Sequence, residues 1–157
     1  MFLFNNTSVV SPFDGKCISL SDVNDDVFAN EMMGPGCAII PTSGDVVSPV
    51  NGKVGVIAPT KHCIAITCND GLKIMIHFGL DSFKTKGSGF EYCVEVGDVV
   101  KRVQPICKLD LAYFESEKID MTSPIVVLNH DIFKIEDSSY SIGDIKKGDF
   151  LFKYKEI

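Results

Sequence analysis

No run in this chain approaches the roughly 18 apolar residues of a membrane-spanning helix. The opening M-F-L-F-N-N-T-S lacks a basic start, and its apolar stretch is too short for a secretory leader. These two absences lead to the expectation of a cytoplasmic protein. Positive charge is also in short supply: the net charge is -6, and Lys146, Lys147, Lys153 and Lys155 are only scattered near the end. Without a basic stripe to neutralise phosphates, nucleic acid is excluded as a partner. The sequence has no G-x-x-x-x-G-K-[ST] loop, no G-x-S-x-G elbow and no H-E-x-x-H helix. Gly87-Ser88-Gly89 is followed by no lysine of that kind and no plausible helix, so it offers no phosphate cradle.

Helical signals are scarce as well. Only Asn24 to Met33, with Asn24 or Asp25 as cap, and Leu111 to Asp120 suit short helical turns. What is abundant is punctuation. Asp14-Gly15, Gly34-Pro35-Gly36, Asn51-Gly52, Asn69-Asp70-Gly71, Gly97-Asp98, Gly143-Asp144 and Gly148-Asp149 separate short runs rich in Val, Ile and Phe. That pattern predicts an all-β antiparallel sandwich or barrel-like domain. Ser11-Pro12-Phe13-Asp14-Gly15-Lys16 recurs as Ser48-Pro49-Val50-Asn51-Gly52-Lys53, and both Asx-Gly pairs suit tight hairpin turns. At 157 residues the chain makes one domain, expected over 11–157 after a short segment 1–10. A chain of this size needs no staples, and its six cysteines fall largely inside apolar runs, so they read as reduced core thiols.

The chemistry centres on Gly71 to Asp81, G-L-K-I-M-I-H-F-G-L-D. In a strand, Leu72, Ile74, Ile76 and Phe78 turn to one face and His77 to the other. His62 opens the preceding run, H-C-I-A-I-T-C. A two-residue or four-residue hairpin loop puts both imidazoles on one face, roughly 4.5 to 8 Å apart at Cα, whereas a three-residue loop splits them. The even loops are favoured because they group Cys63, Ala65, Leu72, Ile74, Ile76 and Phe78 as the buried face. Ile64, Ile66 and Met75 then border the histidines as a contact patch. Cys63 and Cys68 fall on opposite strand faces and cannot share a zinc ion. His130, in L-N-H-D, reads as a solvated loop residue.

The segments D-x-V-F-A (Asp25 to Ala29), M-M-G-x-G-x-A-I (Met32 to Ile39), S-P-V-N-G-K, P-T-K-H (Pro59 to His62), I-H-F-G-L-D, G-x-G-F, V-G-D-V-V and T-S-P-I-V resemble the IIA domains of the glucose family. These domains belong to the phosphoenolpyruvate-dependent sugar phosphotransferase system. The resemblance implies that His77 accepts a phosphoryl group from the phosphocarrier protein HPr and passes it to a cysteine of a IIB domain. It further implies that the His77 Nδ1 proton is held by a backbone carbonyl near Gly79 and that His62, tied to Thr60, donates to a phosphate oxygen. Val27, Phe28, Met32, Met33 and Met75 match the family's apolar ring, with Asp25 and Asp81 at its rim. No cofactor is required, although zinc could sit between His62 and His77, and regulatory partners are possible by the same resemblance. Ala58 departs from the larger apolar residue common in the family.

Two other classes share fragments of the pattern. Gly97 to Ile106 resembles a segment of lysostaphin-like zinc endopeptidases, but these need three protein ligands, typically with an H-x-H pair, and Met75 stands two before His77. A biotin- or lipoyl-type carrier would need a lysine at a clear hairpin tip, and none is present.

Overall fold

The computed structural model describes residues 7–157. Residues 1–6, with most of the opening stretch weighed above as a leader, lie outside the described residues. Among the described residues fourteen strands follow in chain order: β1 (Ser8–Val10), β2 (Gly15–Ser19), β3 (Gly36–Pro41), β4 (Asp45–Val47), β5 (Gly52–Ile57), β6 (Cys63–Cys68), β7 (Lys73–His77), β8 (Phe90–Tyr92), β9 (Val99–Val100), β10 (Pro105–Leu109), β11 (Ser123–Val127), β12 (Phe133–Ile135), β13 (Gly143–Ile145) and β14 (Phe150–Glu156). They form an eight-stranded sheet, β13-β2-β3-β11-β7-β6-β5-β9, and two smaller ones, β4-β10-β8 and β1-β14-β12. Every pairing is antiparallel.

The large sheet buries its inner face against both small ones. Ile64, Ile66, Ile74 and Ile76 meet Phe90, Ile106 and Leu109 from one small sheet and Phe133, Phe152 and Tyr154 from the other. A second, smaller cluster covers part of the outer face, where Leu20, Val23 and Phe28 close over Ala38, Met75 and Val126. The outer face therefore carries a local cap over an otherwise open sheet. The site lies beside that cap.

Both expected helical segments form, in shortened versions. α1 (Asp26–Ala29) starts at Asp25, whose carboxylate accepts the Val27 N–H at 3.0 Å, and the chain turns out of it through left-handed Glu31. α2 (Leu111–Ser116) starts at Asp110, which accepts the Tyr113 N–H at 3.0 Å. Each aspartate satisfies a donor that the first helical turn leaves unpaired.

Several expectations change. The repeated Ser-Pro segments are not hairpin turns, because each leads from one sheet into another. They interlock around a local two-fold: Val10 N–H donates to Pro49 O and Val47 N–H to Pro12 O, both at 3.0 Å. Ser11 and Ser48, fully buried, donate their hydroxyls to Phe13 O and Val50 O, both at 2.7 Å. Asp14 accepts the Lys147 N–H at 2.8 Å, as Asn51 accepts that of Arg102 at 2.7 Å. Glycine follows in each copy because a Cβ would strike a neighbouring strand, 2.1 Å from Ile40 O at Gly15 and 2.3 Å from Thr67 O at Gly52. β1 pairs with β14, and Val9 and Val10 are fully buried, so part of the segment expected over 1–10 is woven into the fold. Cysteines 17, 37, 68 and 107 are buried and Cys63 half-buried, but Cys93 is exposed, because it lies just past the end of β8.

Candidate phosphoryl-transfer site

The hairpin register overturns the favoured even loop. Cys63 pairs with His77, Ile64 with Ile76 and Thr67 with Lys73, leaving a three-residue loop of Asn69, Asp70 and Gly71. Cys68 N–H donates to Leu72 O at 2.7 Å and Gly71 N–H to Cys68 O at 3.0 Å, with Gly71 at φ 98. This is a turn that glycine closes without steric cost. The reason lies in burial. The odd loop buries Ile64 and Ile66 completely and leaves the smaller Cys63 and Ala65 half-buried, the reverse of the even-loop grouping. At about 0.8 kcal/mol per buried methylene, exchanging two isoleucines for cysteine and alanine favours the observed register.

The histidines nevertheless meet. His62 lies just before β6, after Lys61, whose φ of 65 turns the chain left-handed and releases His62 from strand alternation. Its carbonyl still accepts the Phe78 N–H at 2.7 Å, so its backbone stays tied to the partner strand while its ring reaches the outer face. The two imidazole centroids are 5.0 Å apart at 74°.

Each ring is oriented through Nδ1. His77 Nδ1 donates to Gly79 O at 2.7 Å, which leaves Nε2 as the reactive atom of the neutral ring. Gly79 has φ 79, and a Cβ there would lie 2.6 Å from Met121 Sδ and 3.0 Å from Asp120 O. The Gly79 N–H donates to the buried Ser123 hydroxyl at 3.1 Å, Leu80 N–H donates to Asp120 O at 2.7 Å, and Ser82 Oγ holds the Phe78 carbonyl. His62 Nδ1 lies 2.5 Å from Thr60 Oγ1. Burial lowers the His77 pKa, with His62 adding to the effect and the Gly79 bond, Asp25 and Asp81 opposing it. Burial also lowers that of His62. Both imidazoles are neutral at physiological pH.

The surroundings sort into support and surface. Phe28 packs on His77 at 4.9 Å between ring centroids but is itself buried, and Met75 is 6% exposed in the cluster beneath α1. Met75, expected on the contact patch, instead supports it, because the cap formed by Leu20, Val23 and Phe28 covers that part of the face. Ile64 and Ile66 leave the patch for the core. Val27, Met32 and Met33, on α1 and the turn that closes it, are exposed. Asp81, left-handed at φ 58, is exposed and lies 3.9 Å from Lys84. Sequence reasoning missed Phe83, which is 48% exposed with its ring 6.1 Å from that of His62. Its signal was an apolar ring set among polar neighbours in D-S-F-K-T. His130 is exposed in a turn.

No cluster of three metal-ligating side chains occurs among the described residues, so the peptidase reading has no ligand set. Among the same residues no helix is long and apolar enough to cross a membrane.

A family model described as phosphoenolpyruvate-dependent sugar phosphotransferase system, EIIA 1, matches residues 7–133. The PTS system glucose-specific EIIA component of Staphylococcus epidermidis is 40% identical over 126 residues, covering 80% of this chain and 76% of that protein. The PTS system glucoside-specific EIICBA component of Staphylococcus carnosus is 40% identical over 91% of this chain, a match spanning 20% of that longer protein. Glucose permease IIA from Mycoplasma capricolum superimposes with a TM-score of 0.87 at 35% identity, covering 97% of this chain and 98% of that one.

Proposed function

The chain belongs to the EIIA 1 family of the phosphoenolpyruvate-dependent sugar phosphotransferase system and is a phosphotransferase of its phosphoryl relay, and we propose that His77 is the residue that carries the group. The observation behind this reading is the pair of neutral imidazoles 5.0 Å apart, with His77 Nδ1 held by Gly79 O and Nε2 left to attack.

Phospho-HPr is the donor in this scheme and a IIB cysteine the acceptor. His77 Nε2 attacks phosphorus; the N–P bond forms as the bond from phosphorus to its carrier residue on HPr breaks. The proton stays on Nδ1 throughout, donated to the Gly79 carbonyl, so the phosphorylated ring keeps its orientation. With the Thr60 hydroxyl donating to His62 Nδ1, the proton of neutral His62 sits on Nε2 and points to a phosphoryl oxygen. In the second step the IIB thiolate attacks phosphorus, an S–P bond forms, the N–P bond breaks and His77 returns to neutral. Positioning and charge stabilisation suffice for such transfers. The chain therefore needs no cofactor.

Val27, Met32, Met33 and Phe83 offer the docking surface, with Phe28 and Met75 packed behind it. Flexible thioethers suit a face that receives two partners in turn. Asp25 and Asp81 attract cationic groups at its rim. A zinc ion between His62 and His77 would find two protein ligands and would take a third from a partner. In this reading the relay works in the cytoplasm, in a single IIA-type domain spanning 11–157, with β1 paired to β14.

The test is incubation with phosphoenolpyruvate, enzyme I and HPr. The expected product is an acid-labile, base-stable adduct that is absent in His77→Ala; labelling that persists in this variant overturns the assignment.

A further inference from the structure

Lys61 is a branch point in the site. It is a non-glycine residue at φ 65, a conformation that L side chains enter only when their surroundings hold them there. Its N–H donates to Ala58 O at 2.7 Å, which closes the turn from within. Its carbonyl, one peptide before His62, accepts the Tyr92 hydroxyl at 2.7 Å. Tyr92 comes from β8 of a small sheet, paired with Cys107 of β10, and belongs to neither strand of the histidine hairpin. Its ring packs edge-on against Phe78, the residue after His77, at 6.2 Å between centroids. The side chain thus bears on both histidine-carrying segments: apolar contact behind His77 and a hydrogen bond before His62. Burial pushes its hydroxyl pKa well up, so it remains a donor at any physiological pH.

We propose that Tyr92 is a positioning residue for the phosphoryl transfer, its hydroxyl fixing the Lys61 peptide and hence the direction in which His62 presents Nε2–H. His62 lies just before β6, tied to the partner strand through its carbonyl alone among the ladder bonds described. Its ring direction is set by the Thr60 contact, by the neighbouring His77 and Phe83 rings and by the peptide that precedes it. When the hydroxyl is removed, the Lys61 carbonyl loses its partner and the left-handed turn relaxes. His77, held separately by Gly79, is untouched. A catalytic donor displaced by a fraction of an ångström loses much of its effect, up to about 100-fold for 1 Å.

The inference rests on the His77 and His62 roles proposed above, and the experiment separates the two. Tyr92→Phe keeps the ring contact with Phe78 and deletes only the hydroxyl. The expected result is phosphorylation of His77 by phospho-HPr within about two-fold of the parent, with onward transfer to a IIB domain slowed about five-fold or more. In imidazole nitrogen NMR of the unphosphorylated protein, the His62 signals should move towards a mixture of tautomers while those of His77 stay in place. In combination with His62→Gln, the tyrosine change should add nothing further, because the group it positions is gone. Parent-like onward transfer and unchanged His62 signals in Tyr92→Phe, or full additivity with His62→Gln, overturn the Tyr92 role. Those outcomes leave the relay itself standing. Should Tyr92→Phe melt lower, the double-variant cycle still decides, since a general loss of structure adds to the His62 change and a positioning loss does not. Labelling of His77→Ala, in contrast, removes the relay reading and with it this inference.

Discussion

His77 Nδ1 donates to the Gly79 carbonyl across 2.7 Å, and that single bond determines which nitrogen of the ring can react. The carbonyl is held in turn by its own peptide, whose Leu80 N–H donates to Asp120 O at 2.7 Å, by the Ser123 hydroxyl on the preceding N–H, and by a left-handed φ of 79.

Gly79→Ala should therefore damage stability and chemistry together. The added Cβ meets Met121 Sδ at 2.6 Å, and the left-handed backbone alone costs about 1–3 kcal/mol. A lower urea midpoint and slower His77 labelling at equal folded fraction are expected. A variant with parent stability would show that the turn relaxes without strain.

For His62→Gln, His77 should still become phosphorylated, because the nucleophile and its Gly79 bond are intact. Onward transfer should fall, since the proposed donor to the phosphoryl oxygen has changed. Single-turnover rates for the two half-reactions provide the check, and an unaltered second rate would remove His62 from the mechanism.

Asp25 does two things that substitution can separate. Its carboxylate caps α1, and its charge raises the His77 pKa. Asp25→Ala should cost about 1 kcal/mol through the lost cap. Asp25→Asn keeps an acceptor at the cap, so it should leave stability nearly unchanged while lowering the His77 pKa, as read by NMR titration.

The pH dependence of stability has a definite sign. Both histidines titrate lower in the fold than the unfolded reference of about 6.5. Just below that reference the unfolded chain binds more protons, so stability is lost as pH falls through it. Urea midpoints measured from about pH 6.5 to 5 should decline in the parent, and less steeply in His77→Ala. An equal slope in both proteins would show that His77 is not shifted.

Much of the architecture could be read from pattern alone. The turn signals give the strands their rhythm, Asp25 is one of two named caps for α1, and strand alternation with hairpin pairing singles out both histidines before the family motifs do. What escaped was register. Ile64 and Cys63 differ by one position, a shift that exchanges sheet faces entirely, and nothing local in Asn69-Asp70-Gly71 distinguishes a three-residue loop from its neighbours in length. The imidazole pair survives that change only because Lys61 breaks the alternation just before β6. A left-handed lysine is set by what surrounds it, here Ala58 nearby and Tyr92 31 positions away, and the second contact lies beyond any local sequence window. The cap over Met75 depends likewise on residues about fifty positions away. The two Ser-Pro repeats were seen, but their mutual bonding can only be read in space.

That interlock has a consequence for how the protein is made. Ser11 N–H donates to Asp149 O, and the Ser11 carbonyl accepts Gly148 N–H, so the first repeat is completed by residues near the far end of the sequence. Ser48 is completed by Val103 and Gln104. Closing loops of such span carries its entropic cost before the bonds form, and chains dominated by non-local pairing fold in milliseconds to seconds. During synthesis the first Ser-Pro segment can meet the second early but lacks its Gly148 and Asp149 partners until those residues have left the ribosome. The histidine hairpin can form early, but the sheets around it come together last.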